Sequence, residues 1–346
     1  MPKSQAAFDA LPMGAHRSAF GLHPCGAPID AITLKSSRFA VRILTLGATL
    51  QAFWIDGADI VLGFESVQGY LGDRKFFGAT VGRYANRIKD GRFKIGAQTY
   101  QIGAPQDHAL HGGPQGFDLA IWQVEAITPT SVTLKHESAA GDQGFPANVI
   151  ARVTYALTEE GLAITHCAEA DAPTPNAMTN HAYLNLGVPM GEHHLRVAAS
   201  RYLPADGDGI PLGDPAPVDG TPLDFQTGRA MGAAIDAPQM AHRFGYDHNL
   251  CLDPGDGFAD GLREVAELRG GAITLHLWTD QPGLQVYSGN FIGDEIGKYG
   301  QRHARRCAMC LEPQAWPDSP NHPEYPFRLT SPQAPHVNRI EWRFGR

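Results

Sequence analysis

Long apolar runs, an excess of positive charge and a cysteine framework are all missing from this sequence of 346 residues. No stretch approaches the ~20 apolar residues that carry a helix across a bilayer, so a membrane partner is not expected. Charged residues make up only 18% of the chain, and 28 Lys and Arg against 36 Asp and Glu leave a net charge of −8. Nucleic acid calls for a basic stripe and is excluded on that ground. An anionic ligand would gain no long-range steering. Cys25, Cys167, Cys251, Cys307 and Cys310 are odd in number and scattered, unlike a disulfide framework. Cys307 and Cys310 form a C-x-x-C, but no second pair completes a zinc site, and on a strand residues three apart face opposite sides. Neither a metal nor a cofactor is expected. Met1 to Phe20 is interrupted by Asp9, Pro12, Gly14, His16 and Arg17, so it lacks the apolar core of a signal peptide. A cytoplasmic location is the expectation that follows.

What is present is a chain with 43% hydrophobic residues, 39 Gly and 26 Pro. A chain of this size hides about three quarters of its unfolded surface. Gly and Pro are spread as punctuation between short runs with a period of two. Examples are Phe39 to Leu44, Phe93 to Ile95, Val132 to Leu134, Leu162 to Ile164 and Ile273 to Leu277. Such runs read as strands of an antiparallel sandwich or barrel. Helical periodicity is confined to Gly228 to Ala241 and Ser66 to Leu71. There is no βαβ rhythm, no glycine-rich phosphate loop and no fixed repeat. One all-β domain over residues 1–346 is expected, with 1–20 a poorly ordered or edge segment.

Several segments set chemically capable residues between apolar flanks. They are Gly78 to Ile88, with Asn86 and Arg87; His108 to Gly113, with His111; Thr179 to Leu186, with His181 and Tyr183; and Cys310 to Pro323, with Glu312. Gly245 to Asn249, with Asp247, and Gln285 to Phe291 join them. Imidazoles, carboxylates, planar amides, a guanidinium and aromatics are the mixture that a sugar site needs: groups that pair with hydroxyls, faces for the ring, and groups that move protons. Each also has an ordinary structural use. His111 precedes two glycines and sits in a turn; His181 could be a hydrogen-bonded core histidine; Asp247 could cap a turn; Arg87 could form a surface ion pair. Glu312 differs, because a carboxylate entering an apolar strand is rare without a partner or a function, and burial raises its pKa toward that of a useful base. No H-E-x-x-H pattern or close His/Asp helical pair supports a metal use of the histidines.

In their order, these motifs resemble the aldose 1-epimerase (galactose mutarotase) family, from Leu46-Gly47-Ala48-Thr49-Leu50 to Asn321-His322-Pro323-Glu324-Tyr325-Pro326. Val61-Leu62-Gly63-Phe64, Gly144-Phe145-Pro146 and Gly289-Asn290-Phe291 match in between. The resemblance implies a large antiparallel β-sandwich (the galactose mutarotase-type supersandwich) and an isomerase that interconverts sugar anomers without a cofactor. It implies Glu312 as general base, His181 as general acid and His111 as a helper near the ring oxygen. Asn86, Arg87, Tyr183, Asp247 and Gln285 are implied to bind the monosaccharide. Pro313 stands where the family usually has Thr, and the Glu312 carboxylate is expected to keep its direction. The basic stretch Gly297 to Arg306 reads as a solvated loop, with a phosphorylated or acidic sugar as its alternative use. A pentose or deoxy sugar, a two-carboxylate glycoside hydrolase with Glu312 and Asp247, and a non-catalytic sugar-binding module are the other readings. Monomer and homodimer are both open.

Overall fold

A computed structural model describes residues 2–104, 107–255 and 261–345. The alternating runs form strands because each places one row of side chains against a core and the other toward water or a second layer. In Val149–Leu157 every second residue is buried, and Val149, Ala151, Val153, Tyr155 and Leu157 all enter the main core. Burying each of the larger ones contributes about 1.5–3 kcal/mol.

Three large sheets organise the chain. Gly14–Leu22, Pro28–Lys35, Phe39–Leu44, Thr49–Ile55 and Ala58–Asp59 form a five-stranded meander. A nine-stranded sheet is centred on Gly161–Ala170, His336–Phe344 and Ile273–Thr279. A six-stranded sheet runs in the order Tyr183–Leu184, Met309–Gln314, Gly283–Tyr287, Asp247–Cys251, Arg201–Tyr202, Ala216–Pro217. Every paired strand among the described residues is antiparallel. One apolar cluster takes residues from all three sheets, including Ile32, Leu50, Val153, Leu277, Val286 and Leu311. The all-β antiparallel sandwich read from the sequence is therefore the observed fold.

Two local features differ from expectation or extend it. Gly228 to Ala241 is not an α-helix: Arg229–Ala230 adds an edge strand, and Met231–Ala233 and Pro238–Arg243 form 3-10 turns. Gly228 has φ +82° and Pro238 opens the second turn, and both oppose a continuous helix. Val67–Leu71 is helical, capped by the Ser66 hydroxyl, which accepts from Gly69 N–H. At the N-terminus Pro2–Ala10 is a helix, followed by the edge strand Gly14–Leu22. Among the described residues no helix is long and apolar enough to cross a membrane.

Candidate active site

The six-stranded sheet carries a different kind of residue on each face, because neighbouring side chains on a strand point opposite ways. Met309, Leu311, Leu284, Val286 and Leu250 enter the main core. The residues between them turn the other way. Gln285 lies directly across from Glu312, Tyr287 from both Asp247 and Cys310, and Tyr183 from Cys310. Glu312, Gln285, Tyr287, Asp247 and Tyr183 line one cavity of about 310 Å³ with Asn86, Arg87, His111 and His181. All eight residues singled out in the sequence thus meet in one place. Pro313 stays in the ladder opposite Leu284, and its carbonyl accepts from Thr179 Oγ1 and Asn338 Nδ2. The Glu312 carboxylate keeps its direction into the cavity.

Loops supply the histidines. Arg87–Ile88 pairs with Ala109–Leu110, which sets Asn86 and His111 side by side, both with left-handed backbones at φ +60° and +49°. Their backbones interlock: His111 N–H donates to Asn86 O at 2.9 Å, and Asn86 N–H donates to His111 Nδ1 at 3.2 Å. Gly112 follows at φ +88°, where a Cβ would stand 1.8 Å from Gly82 O. Only glycine fits that approach. His181 sits between two two-residue strands, its N–H bonded to Ala79 O and its carbonyl to Gly78 N–H, each at 2.9 Å. Its Nε2 is 3.7 Å from Glu312 Oε1 and its Nδ1 is 3.5 Å from Cys310 Sγ.

Electrostatics separate these groups by role. Glu312 is 2% exposed, and burial, reinforced by the Asp247 charge, pushes its carboxyl well above the usual carboxylate range. Burial lowers His181 to about 4 and holds His111 well below its ordinary value, with His181 adding to the effect. Asp247 behaves differently. Burial alone would raise it, but Arg87 and Arg243 hold it below the ordinary aspartate value. Its Oδ2 is ion-paired with Arg243, and its Oδ1 accepts from Gln285 Nε2 at 2.7 Å. One carboxyl is therefore free to take or give a proton while the other is a fixed anion.

His111, His181 and Glu312 have ligand atoms within 4.8 Å of one another, a set that resembles a metal site by geometry alone. Its chemistry does not fit. A metal-bound imidazole donates its second N–H outward, whereas His111 Nδ1 accepts from the Asn86 N–H. The His111 proton must then sit on Nε2, which leaves no lone pair facing the cavity.

The basic stretch Gly297 to Arg306 lies elsewhere and is not a simple solvated loop. It lines a separate cavity of about 550 Å³, and its charges have partners. Lys298 is buried on Asp59 at 2.6 Å, Arg302 pairs with Asp294, and Arg306 with Asp236. Tyr183 lines the cavity of Glu312 and the histidines, and its hydroxyl donates to Lys75 O at 2.9 Å. Arg74, Phe76 and Arg243 were not apparent from the sequence. Tyr287 and Phe291 lay inside a motif, but nothing local marks Arg74, Phe76 or Arg243.

A carboxyl and two neutral imidazoles converging on one small cavity, with planar polar groups around them, are what proton transfer on a polyhydroxylated ligand requires. Residues 30–341 match the family model described as aldose 1-epimerase. Galactose mutarotase of Mus musculus is 37% identical over 340 residues, covering 94% of this chain and 97% of its own length. Aldose 1-epimerase of Escherichia coli strain K12 is 37% identical over 319 residues, covering 88% and 91%. Galactose 1-epimerase from Lactobacillus acidophilus NCFM superposes with a TM-score of 0.85 at 26% identity, covering 96% of this chain and 99% of that one. The chain belongs to the aldose 1-epimerase family and is an isomerase.

Proposed function

We propose that this enzyme interconverts the α and β anomers of a free neutral aldose, galactose or glucose, with Glu312 as base, His181 as acid and His111 as helper. The observation that carries this reading is the 3.7 Å approach of Glu312 Oε1 to His181 Nε2 inside a buried cavity. Ring opening removes the proton from the C1 hydroxyl and places one on the ring oxygen. Both oxygens hang on one carbon, so the base and the acid must stand close together, as these two do.

The opened aldehyde rotates about its bond to C2, and the same pair working in reverse closes either face. Protons balance within the pair, and no electron leaves the sugar. Burial favours one proton shared by Glu312 and His181, resting on the raised Glu312 carboxyl and standing on His181 Nε2 in the reacting form, where Glu312 accepts and His181 donates; a positioned acid and base each contribute ~10²–10⁴-fold. His111, locked with its proton on Nε2 by the Asn86 N–H, donates a hydrogen bond without titrating. Asn86, Arg87, Asp247 and Gln285 hold sugar hydroxyls, and the Tyr183 ring supplies apolar surface. A neutral sugar fits better than a phosphate, because the basic stretch faces a different cavity and, of the cations lining this one, Arg74 is engaged with Asp118 and Lys75 with Asp73.

The test is polarimetry on freshly dissolved α-D-galactose and α-D-glucose, extended to arabinose, xylose, fucose and a hexose 6-phosphate. Acceleration over buffer with neutral hexoses is expected. No acceleration on any of them would sink the reading, and a faster rate on the phosphate would overturn the neutral substrate.

A further inference from the structure

The wall of the cavity beside both histidines is one aromatic ring that the chemistry above does not use. Phe76 is half-buried with a left-handed backbone at φ +60°. Its ring centroid lies 4.6 Å from that of His111 and 5.6 Å from that of His181, within the range of direct ring packing. An unusual backbone conformation at a cavity wall needs surrounding structure to hold it.

That structure is Arg74. Its guanidinium lies over the Phe76 ring, 4.8 Å from the centroid. Arg74 Nε and Nη2 donate to the two oxygens of Asp118 at 2.7 and 2.6 Å, and Nη1 donates to Gly113 O and Pro114 O at 3.0 Å. Asp118 is itself buried. Such a two-pronged pair fixes orientation as well as distance. With these donors engaged by protein, Arg74 is not available to clasp a sugar, although it borders the cavity. Its bonds also run to the loop that carries His111. On the other side the Tyr183 hydroxyl donates to Lys75 O. The segment from Arg74 to Phe76 is thus fastened to the elements bearing both histidines.

We propose that Phe76 is a positioning residue for anomer interconversion: its ring sets the planes of His111 and His181, keeps water from them, and gives the sugar an apolar face. Arg74, pinned to Asp118, acts through Phe76. This rests on the anomer-interconversion reading above. A sugar ring presents C–H groups on its faces, and an aromatic wall meets them without asking for a hydrogen bond. A dry wall also keeps the imidazoles neutral until the sugar arrives. Besides Phe76, His181 is faced by Glu312 and Cys310 from one strand, Tyr287 and Asp247 from its neighbours, Tyr183 beside it and His111 from its loop. Replacing Phe76 removes none of these titratable groups, so a moved His181 titration is assigned to the loss of the ring.

The experiment compares wild type with Phe76→Ala, Phe76→Tyr, Phe76→Leu and Arg74→Met. Polarimetric kcat and KM are taken on galactose from pH 4 to 9, with thermal melts and NMR titration of the His181 imidazole alongside. Phe76→Ala is expected to lower kcat by about 10²-fold, as a misplacement of ~1 Å does. It should also move the acid limb of kcat/KM and the His181 titration upward in pH, toward the ordinary imidazole range. Phe76→Tyr, which keeps the ring, should stay within about threefold of wild type, and Arg74→Met should lose about 10-fold with a smaller movement of the limb. A folded Phe76→Ala with wild-type kcat and an unmoved His181 titration overturns the proposal. Should Phe76→Ala fail to fold, Phe76→Leu and Arg74→Met decide, and wild-type behaviour in both overturns it. Wild type without activity on any aldose would instead fell the reading on which the proposal rests, while the NMR titration still reports on the ring.

Discussion

Glu312 and His181 make opposite demands on stability and catalysis. Glu312 Oε2 is buried without a hydrogen-bond partner, and a buried ionisable group in that state costs free energy. Glu312→Gln should therefore leave the melting temperature unchanged or raised, while kcat falls at least ~10²-fold. His181→Asn should lose activity similarly. Polarimetry beside a thermal melt checks both, and near-wild-type turnover in either variant would refute the assigned roles. The pH profile carries a sharper expectation. The working pair holds one proton, so activity is lost at low pH where His181 gains a second, near its value of about 4, and at high pH where the raised Glu312 carboxyl loses the only one. The kcat/KM profile on galactose should run flat through pH 6.5, where an ordinary imidazole titrates. An inflection there would contradict the burial argument. At this scale the sequence was informative where a residue type was out of place, as with a carboxylate in an apolar strand. Arg74 and Phe76 stayed hidden because their meaning lies in a contact with Asp118, forty-four residues away.

Strands were legible because a period of two needs only a few residues to show. Phe39–Leu44, Arg92–Ile95, Ser131–Ser138, Gly161–Ala170 and Ile273–Thr279 all include the runs read from sequence. The pairing order was not legible, since His336–Phe344 lies between Gly161–Ala170 and Ile273–Thr279 in the sheet and no local pattern encodes that neighbourhood. Gly228 to Ala241 reads as helical because it is rich in alanine and sets Met231 and Ile235 four residues apart, while Gly228 and Pro238 dominate locally. Turn glycines carry much of the site's geometry. Gly112→Ala would place a methyl group 1.8 Å from Gly82 O at φ +88°, a clash with backbone that no side-chain rotation relieves. The substitution is expected to cost more than ~2 kcal/mol and to displace His111. Urea unfolding measures the first effect and polarimetry the second. Wild-type stability would show that the two loops can part freely.

At the scale of the molecule, buried histidines link stability to acid. His248 and His336 are lowered to about 4, and His166 to about 3, by burial in each case, while the lowering of His181 is offset by the raised Glu312 carboxyl beside it. A histidine whose folded pKa lies below its unfolded value takes up its proton first in the unfolded chain. The stability it contributes is present above pH 6.5 and is lost as pH falls through 6.5 toward 4. Each is worth on the order of 3 kcal/mol by that linkage. Melting temperature should fall steeply between pH 6.5 and 5, well before ordinary surface carboxylates protonate, and a flat profile over that interval would refute the assignment. Because one cluster draws on all three sheets, a single unfolding transition is expected in the same melts.

The opposed faces of Met309–Gln314 and Gly283–Tyr287 bear on how such an enzyme changes over generations. Positions that line the cavity alternate with positions that pack the interior, and the two sets point to opposite sides of one backbone. A substitution at Gln285 or Tyr287 can therefore reshape the cavity wall without repacking the interior. A substitution at Val286 or Leu311 reaches the chemistry only by moving the strand itself. Diversification of substrate preference and conservation of scaffold are, in this sheet, assigned to odd and even places along the same few residues.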